Sequence, residues 1–239
     1  MSVEKMSAEE VNKTMGGQIV KAQAAPLAMA GRQGFEDQAA EAGDLAIPRV
    51  KLLQSLSPEV TDGSLGVKPG DILLTTSQEK VGGADKALRV VPICTWKLWQ
   101  EWEGTGANAK LLWQSRNPQD ARVIAKSRWG ANGEKPEAQE SRNFLVLIHG
   151  SALPAVLTFS KTNFQIGRAL YTAMFSKGGN MFDHAYEIGS KKVEGPKGTY
   201  HVFTWKNAGV ASEDEQVVAA EFFTQFSGIK DMVHATEQE

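Results

Sequence analysis

Dense apolar content begins at Ile47, in IPRVKLLQSLSPEV, and from there the chain is punctuated mostly in the manner of a β protein. A Pro-Gly turn in GVKPGDILLTTS precedes a short strand predicted over 71–77. After a Gly-Gly break, KALRVVPICTWKLWQEW is rich in β-branched and aromatic residues, which predicts a long strand over 87–102. Pro92 has no N–H to give to a ladder, so an edge position or a bulge is expected there. RNFLVLIHG and LPAVLTFSK, joined by a tight His-Gly-Ser-Ala turn, form one predicted hairpin. HAYEIGSKKVE and TYHVFTWKNAG, around the turn GPKG, form a second.

Two segments change period. In KTNFQIGRALYTAMFSKGG, Phe164, Arg168, Tyr171 and Phe175 recur at three- to four-residue steps, with Thr162 as candidate N-cap and Gly178 just past the end. In SEDEQVVAAEFF, Ser212 and Glu215 have the spacing of a capping box, and three acids fill the first turn at the positive end of the helix dipole. Its candidate packing residues are Val217, Val218, Phe222, Phe223 and Phe226. Residues 104–142 carry the weakest pattern, and GANGEKPEAQES within them reads as an exposed loop.

Before Ile47 the chain is rich in Ala, Gln, Gly and Glu, and burial of its few large apolar residues cannot offset the entropy of ordering it. The expected organisation is a flexible N-terminal arm over 1–46, with nascent helix near 8–15, a body over 47–211, and an acidic C-terminal helix and tail over 212–239. No βαβ alternation is visible. Strands at this spacing suit a mainly β, α+β domain: an elaborated OB-type β-barrel, closed or partly closed, with one inserted helix and a C-terminal helix.

Composition narrows the function classes. With 239 residues, 41% hydrophobic and 23% charged, the chain has the make-up of a soluble globular protein with a real core. A lone cysteine, Cys94, permits no internal disulfide, and neither CxxC nor paired-histidine spacing suggests a metal, so none is expected. The N-terminus has no apolar h-region, and no apolar run approaches the roughly 20 residues of a bilayer span, so a cytoplasmic protein with no membrane association is expected. The net charge of −2 is unevenly spread. Residues 1–47 hold four basic and seven acidic side chains, and 213–239 hold one and seven, leaving 21 basic against 14 acidic between them. A basic body with acidic ends fits a polyanionic partner, although scattered surface charge gives the same totals.

Half of the six tryptophans fall in VVPICTWKLWQEWEG, at Trp96, Trp99 and Trp102. On a strand, Trp96, Leu98 and Trp102 share a face with Cys94, while Trp99 joins Lys97 and Glu101 on the other. One side packs inward, so at least one of these rings is expected in the core. Downstream, ANAKLLWQSRNPQDARVIAKSRWG interleaves Trp113 and Trp129 with Lys110, Arg116, Arg122, Lys126 and Arg128 against a single acid, Asp120. Trp205 is followed by Lys206 and preceded by a basic hairpin with Lys191, Lys192 and Lys197. Flat rings stack on exposed bases for about 1–3 kcal/mol each while cations follow phosphates, without sequence preference. The candidate nucleic-acid-binding residues are Trp96, Lys97, Trp99, Trp102, Trp113, Arg122, Arg128, Trp129, Lys192, Trp205 and Lys206.

In its segments IPRVKLLQSLSPEV followed by KPGD, then PAVLTFSKTNFQIGRAL, then KGTYHVFTWKNAG, spanning 47 to about 209, the chain resembles the single-stranded DNA-binding proteins of bacteriophages. The resemblance implies an OB-type barrel that coats single-stranded DNA in replication or recombination, performs no chemistry, needs no cofactor and can self-associate. The charge distribution itself lets the acidic tail occupy the basic groove when DNA is absent or dock replication and recombination proteins, although the ending HATEQE departs from the aromatic-ended tails of some such proteins. Catalysis is not expected, because GxxxxGK[ST], GxSxG and HExxH are all missing, and Asp183 and Glu187 beside His184 read as solvated carboxylates. The alternative expectation is a phage structural or adaptor protein that binds no nucleic acid.

Overall fold

The computed structural model describes residues 47–104, 109–151, 153–196 and 198–227. Nine strands form one sheet: β1 (Arg49–Leu52), β2 (Ile72–Leu74), β3 (Lys80–Gly82), β4 (Leu88–Glu103), β5 (Lys110–Ser115), β6 (Ala138–Ile148), β7 (Pro154–Ser160), β8 (His184–Gly195) and β9 (Gly198–Val210). The helices are α1 (Pro58–Thr61), α2 (Ala121–Lys126), α3 (Phe164–Lys177) and α4 (Glu213–Ser227). The order across the sheet is β3-β2-β1-β7-β6-β4-β8-β9, with β5 also on β4, and among the described residues only the β1–β7 pair is parallel. Both hairpins, β6–β7 and β8–β9, lie where the sequence places them. The proposed N-terminal arm and the tail beyond Ser227 lie outside the described residues.

The mixed α+β class holds, but the expected barrel does not close: among the described residues no ladder joins β3 to β9. The physical reason is visible on β6. Phe144, Val146 and Ile148 pack with Leu170 and Met174 of α3 on one face, while Leu145 and Leu147 pack with Ala219, Phe222 and Phe226 of α4 on the other. A sheet covered by a helix on each face needs apolar residues at both parities, so FLVLI is apolar throughout. The β1–β3 limb nevertheless curls against the β8–β9 hairpin through scattered hydrogen bonds. The Gln54 amide donates to His201 O and accepts from His201 N, and Ser190 Oγ donates to Gly70 O.

Local chemistry explains the element boundaries. The β8 ladder on β4 ends at Val90, just before Pro92, and a bulge at Ile93 interrupts the β6 ladder on the other side. The expectation of a bulge at the proline is met. Thr162, expected to cap α3, lies instead in a 3-10 turn over Lys161–Asn163, and the α-helix starts one residue after it. Gly178 ends α3 with a φ of 69°, a conformation that glycine adopts without steric cost. Within α3, Gly167 lies against β7, where an added Cβ would overlap the Cβ and ring of Phe159. At the start of α4, Ser212 N donates to Glu215 and Glu215 N donates to Ser212 Oγ, completing the capping box. Of its expected packing residues, Phe222 and Phe226 are buried, whereas Val217 and Val218 face out and Ala219 takes the inward position.

Candidate nucleic-acid interface

The long strand β4 outruns the body of the sheet. Its first residues, Leu88–Val90, pair with β8, and its last, Trp99–Glu103, pair with β5. The far half of β4, the start of β6, β5 and α2 therefore build a lobe from residues 96–142. Two of its elements, β5 and α2, fall in the stretch that the sequence left unassigned. The helix α2 is short and depends on its surroundings. Asp120 caps it by accepting from Arg122 N at 2.9 Å, and Val123 buries its inner side.

Register divides the β4 residues between two faces as alternation predicts. Lys97, Trp99 and Glu101 stand opposite Arg142, Glu140 and Ala138 of β6, and Trp96 and Leu98 stand opposite Asn143 and Ser141. On the first face Trp99 is only 5% exposed, so its ring belongs to the core. Lys97 Nζ lies 5.5 Å from the Trp99 ring centre and 2.7 Å from Glu140. Next along, Glu101 is buried, accepts from Trp113 Nε1, and lies 2.7 Å from Lys126 Nζ. The hydrogen bond from Lys126 holds its carboxyl below the usual range against the opposing effect of burial. The Arg122 guanidinium lies 4.9 Å over the Trp113 ring and 2.8 Å from Asp120, whose carboxyl it holds well below the ordinary value. This face is a folded electrostatic network.

On the second face, Arg116 lies 4.9 Å from the centre of the half-buried Trp96 ring. The sequence names Arg116 among the interleaved cations but not among the candidate binding residues; the signal for it was its place three residues after Trp113. Trp102 is 41% exposed. In the loop after α2, Arg128 is exposed and Trp129 is 67% exposed.

The remaining candidates do not join this lobe. Trp205 pairs with Ile188 beside the start of β4, half-buried and edge-on to Tyr186 at 6.2 Å. Trp99 is about 35 Å further along β4 at ~3.3 Å per residue. Lys206 is exposed but lies 2.7 Å from Glu187, and Lys192 is exposed still further along β8. Of the acid/base candidates, Asp183 accepts from Asn180 N at 2.7 Å in a cap, and Glu187 is the partner of Lys206. Among the described residues no cluster of His, Cys, Asp and Glu could hold a metal ion, and no helix is long and apolar enough to cross a membrane.

Residues 14–230 match the family model described as Pam3 phage gp34-like protein. No curated protein and no solved structure matches the chain.

Proposed function

The chain belongs to the Pam3 phage gp34-like protein family, and from that premise we propose that it binds single-stranded nucleic acid without sequence preference, coating unpaired DNA in phage replication or recombination. The observation that supports this reading is the lobe. It gathers five of the six tryptophans, two of them under guanidinium groups and two, Trp102 and Trp129, with exposed rings. An exposed indole offers a base a stacking surface worth about 1–3 kcal/mol, and the exposed Arg128 beside Trp129 attracts phosphates. The acidic end of the chain would compete with DNA for the same cations, or dock replication proteins by charge.

A second reading, a phage structural or adaptor protein, draws on the internal pairing of Lys97, Arg122 and Lys206 with Glu140, Asp120 and Glu187. Titration of the full chain with oligo(dT), followed by intrinsic fluorescence, separates the two. Nucleic-acid binding predicts quenching, an affinity that falls as salt rises, and a loss of about 1–3 kcal/mol in Trp102→Ala or Trp129→Ala. Unchanged fluorescence at low salt would leave the adaptor reading standing.

A further inference from the structure

Phosphate tracking needs cations that are not already neutralised, and those of the tryptophan lobe are largely engaged. On α3 the cations have no carboxylate partner among the described residues, and Lys177 Nζ lies 5.8 Å from the centre of the Tyr186 ring. From Lys161 to Lys177 the chain carries three basic residues (Lys161, Arg168 and Lys177) and no acidic one. Among the described residues no carboxylate pairs with any of the three, nor with Arg142 of β6 beside them. Arg142 stands opposite Lys97 in the ladder, and its guanidinium lies 4.1 Å over the Tyr171 ring. Tyr171 in turn stacks on Phe175, with ring centres 6.2 Å apart and planes at 25°. The column ends at Phe175, which is 77% exposed. A largely wetted phenylalanine at the end of a cation–aromatic–aromatic stack contributes little to folding. What it offers is a flat apolar surface in a positively charged setting.

We infer that the exposed side of α3, with Arg168, Phe175 and Lys177 beside the half-buried Arg142 and Tyr171, is a binding surface for single-stranded nucleic acid. A base extends the Arg142–Tyr171–Phe175 column on the open side of Phe175, and the cations of α3 hold the flanking phosphates. The inference rests on the proposed function. It adds a site of its own on the same side of the sheet as Lys97 and α2, reached from the lobe through the Lys97–Arg142 register pair. Positive charge without carboxylate partners selects a polyanion, and the exposed ring selects unpaired bases over a duplex, whose bases are already stacked.

The test uses the full chain and labelled oligo(dT), with affinity measured between about 50 and 200 mM salt. Phe175→Ala is expected to weaken binding roughly ten-fold with an unchanged melting temperature, because the ring is already in water. Arg168→Ala combined with Lys177→Ala is expected to lower the slope of log K against log salt by about 1.4, at ~0.7 per phosphate contact on a single strand. If both variants bind as the unmodified chain does while Trp102→Ala or Trp129→Ala binds more weakly, the α3 site is wrong and the proposed function stands. If the unmodified chain binds no oligo(dT) at low salt, both fall. If the α3 variants keep their oligo(dT) affinity but change the mass in sedimentation, the surface is a protein–protein contact and the inference is overturned.

Discussion

At Trp99 and Trp102 the same side chain meets two environments, and the two residues, an odd number of positions apart, lie on opposite faces of β4. Trp99 is sealed between the lobe strands; Trp102 keeps two-fifths of its surface in water. Trp99→Ala should therefore lower folding stability by about 3–5 kcal/mol in a denaturant melt, through lost transfer energy and the cavity left behind. Trp102→Ala should shift the same melt by no more than about 1 kcal/mol. Equal shifts would show that the two rings share one environment. The alternation, and hence the separation of Trp99 from Trp96 and Trp102, is legible in the sequence. Which ring is sealed is not, because that depends on Glu101, Trp113 and α2 meeting across β5.

Glu215 operates at the scale of the element it opens. It completes the capping box of α4 and receives Arg89 of β4 through Nε at 3.2 Å and Nη2 at 3.0 Å, with His149 Nδ1 at 3.2 Å. The Arg89 hydrogen bonds, aided by Ser212 N and His149, push its carboxyl down to about 2 from the usual 4.5 despite burial. A carboxyl whose pKa is depressed by folding contributes stability that is complete above its unfolded pKa and is lost as pH falls through the folded one. The window for Glu215 is therefore about pH 4.5 down to about 2. Glu215→Gln should lower stability near neutral pH by about 1.5–3 kcal/mol, the worth of hydrogen bonds to a charged group. It should also remove part of the acid sensitivity in that window. Thermal melts at pH 7, 5 and 3 check both effects, and parallel curves for the two proteins would show that the ion pair does not hold α4. The cap was readable at a spacing of three residues. Arg89 was not, because it lies 126 positions away.

At the scale of the molecule, the sheet is a layer between two helices, and each helix seals one apolar face. The second face, with Val91, Ile93, Leu145, Leu147 and Val156, is closed by Ala219, Phe222 and Phe226 of α4. A chain ending at Ala211 should leave those residues in water, bind a hydrophobic dye and lose its cooperative melt. A truncated chain that melts cooperatively and binds no dye would mean that α4 is not the lid of that face. The solvent-facing side of α3 and the β5–α2 part of the lobe take no part in sealing these two faces.

What the sequence alone determines is local. Hairpin turns, the capping box, the glycine stop and the bulge at Pro92 follow from φ preferences, missing donors and short-range hydrogen bonds, all set by neighbours within a few positions. Only the tertiary structure decides that the sheet stays open, that β5 and α2 exist as elements, and that carboxylates pair with Lys97, Arg122 and Lys206 but, among the described residues, not with Arg142 or Arg168. Burial and charge pairing depend on which distant segments come to lie against one another, and a pattern with a period of two or of about 3.6 residues carries no record of that.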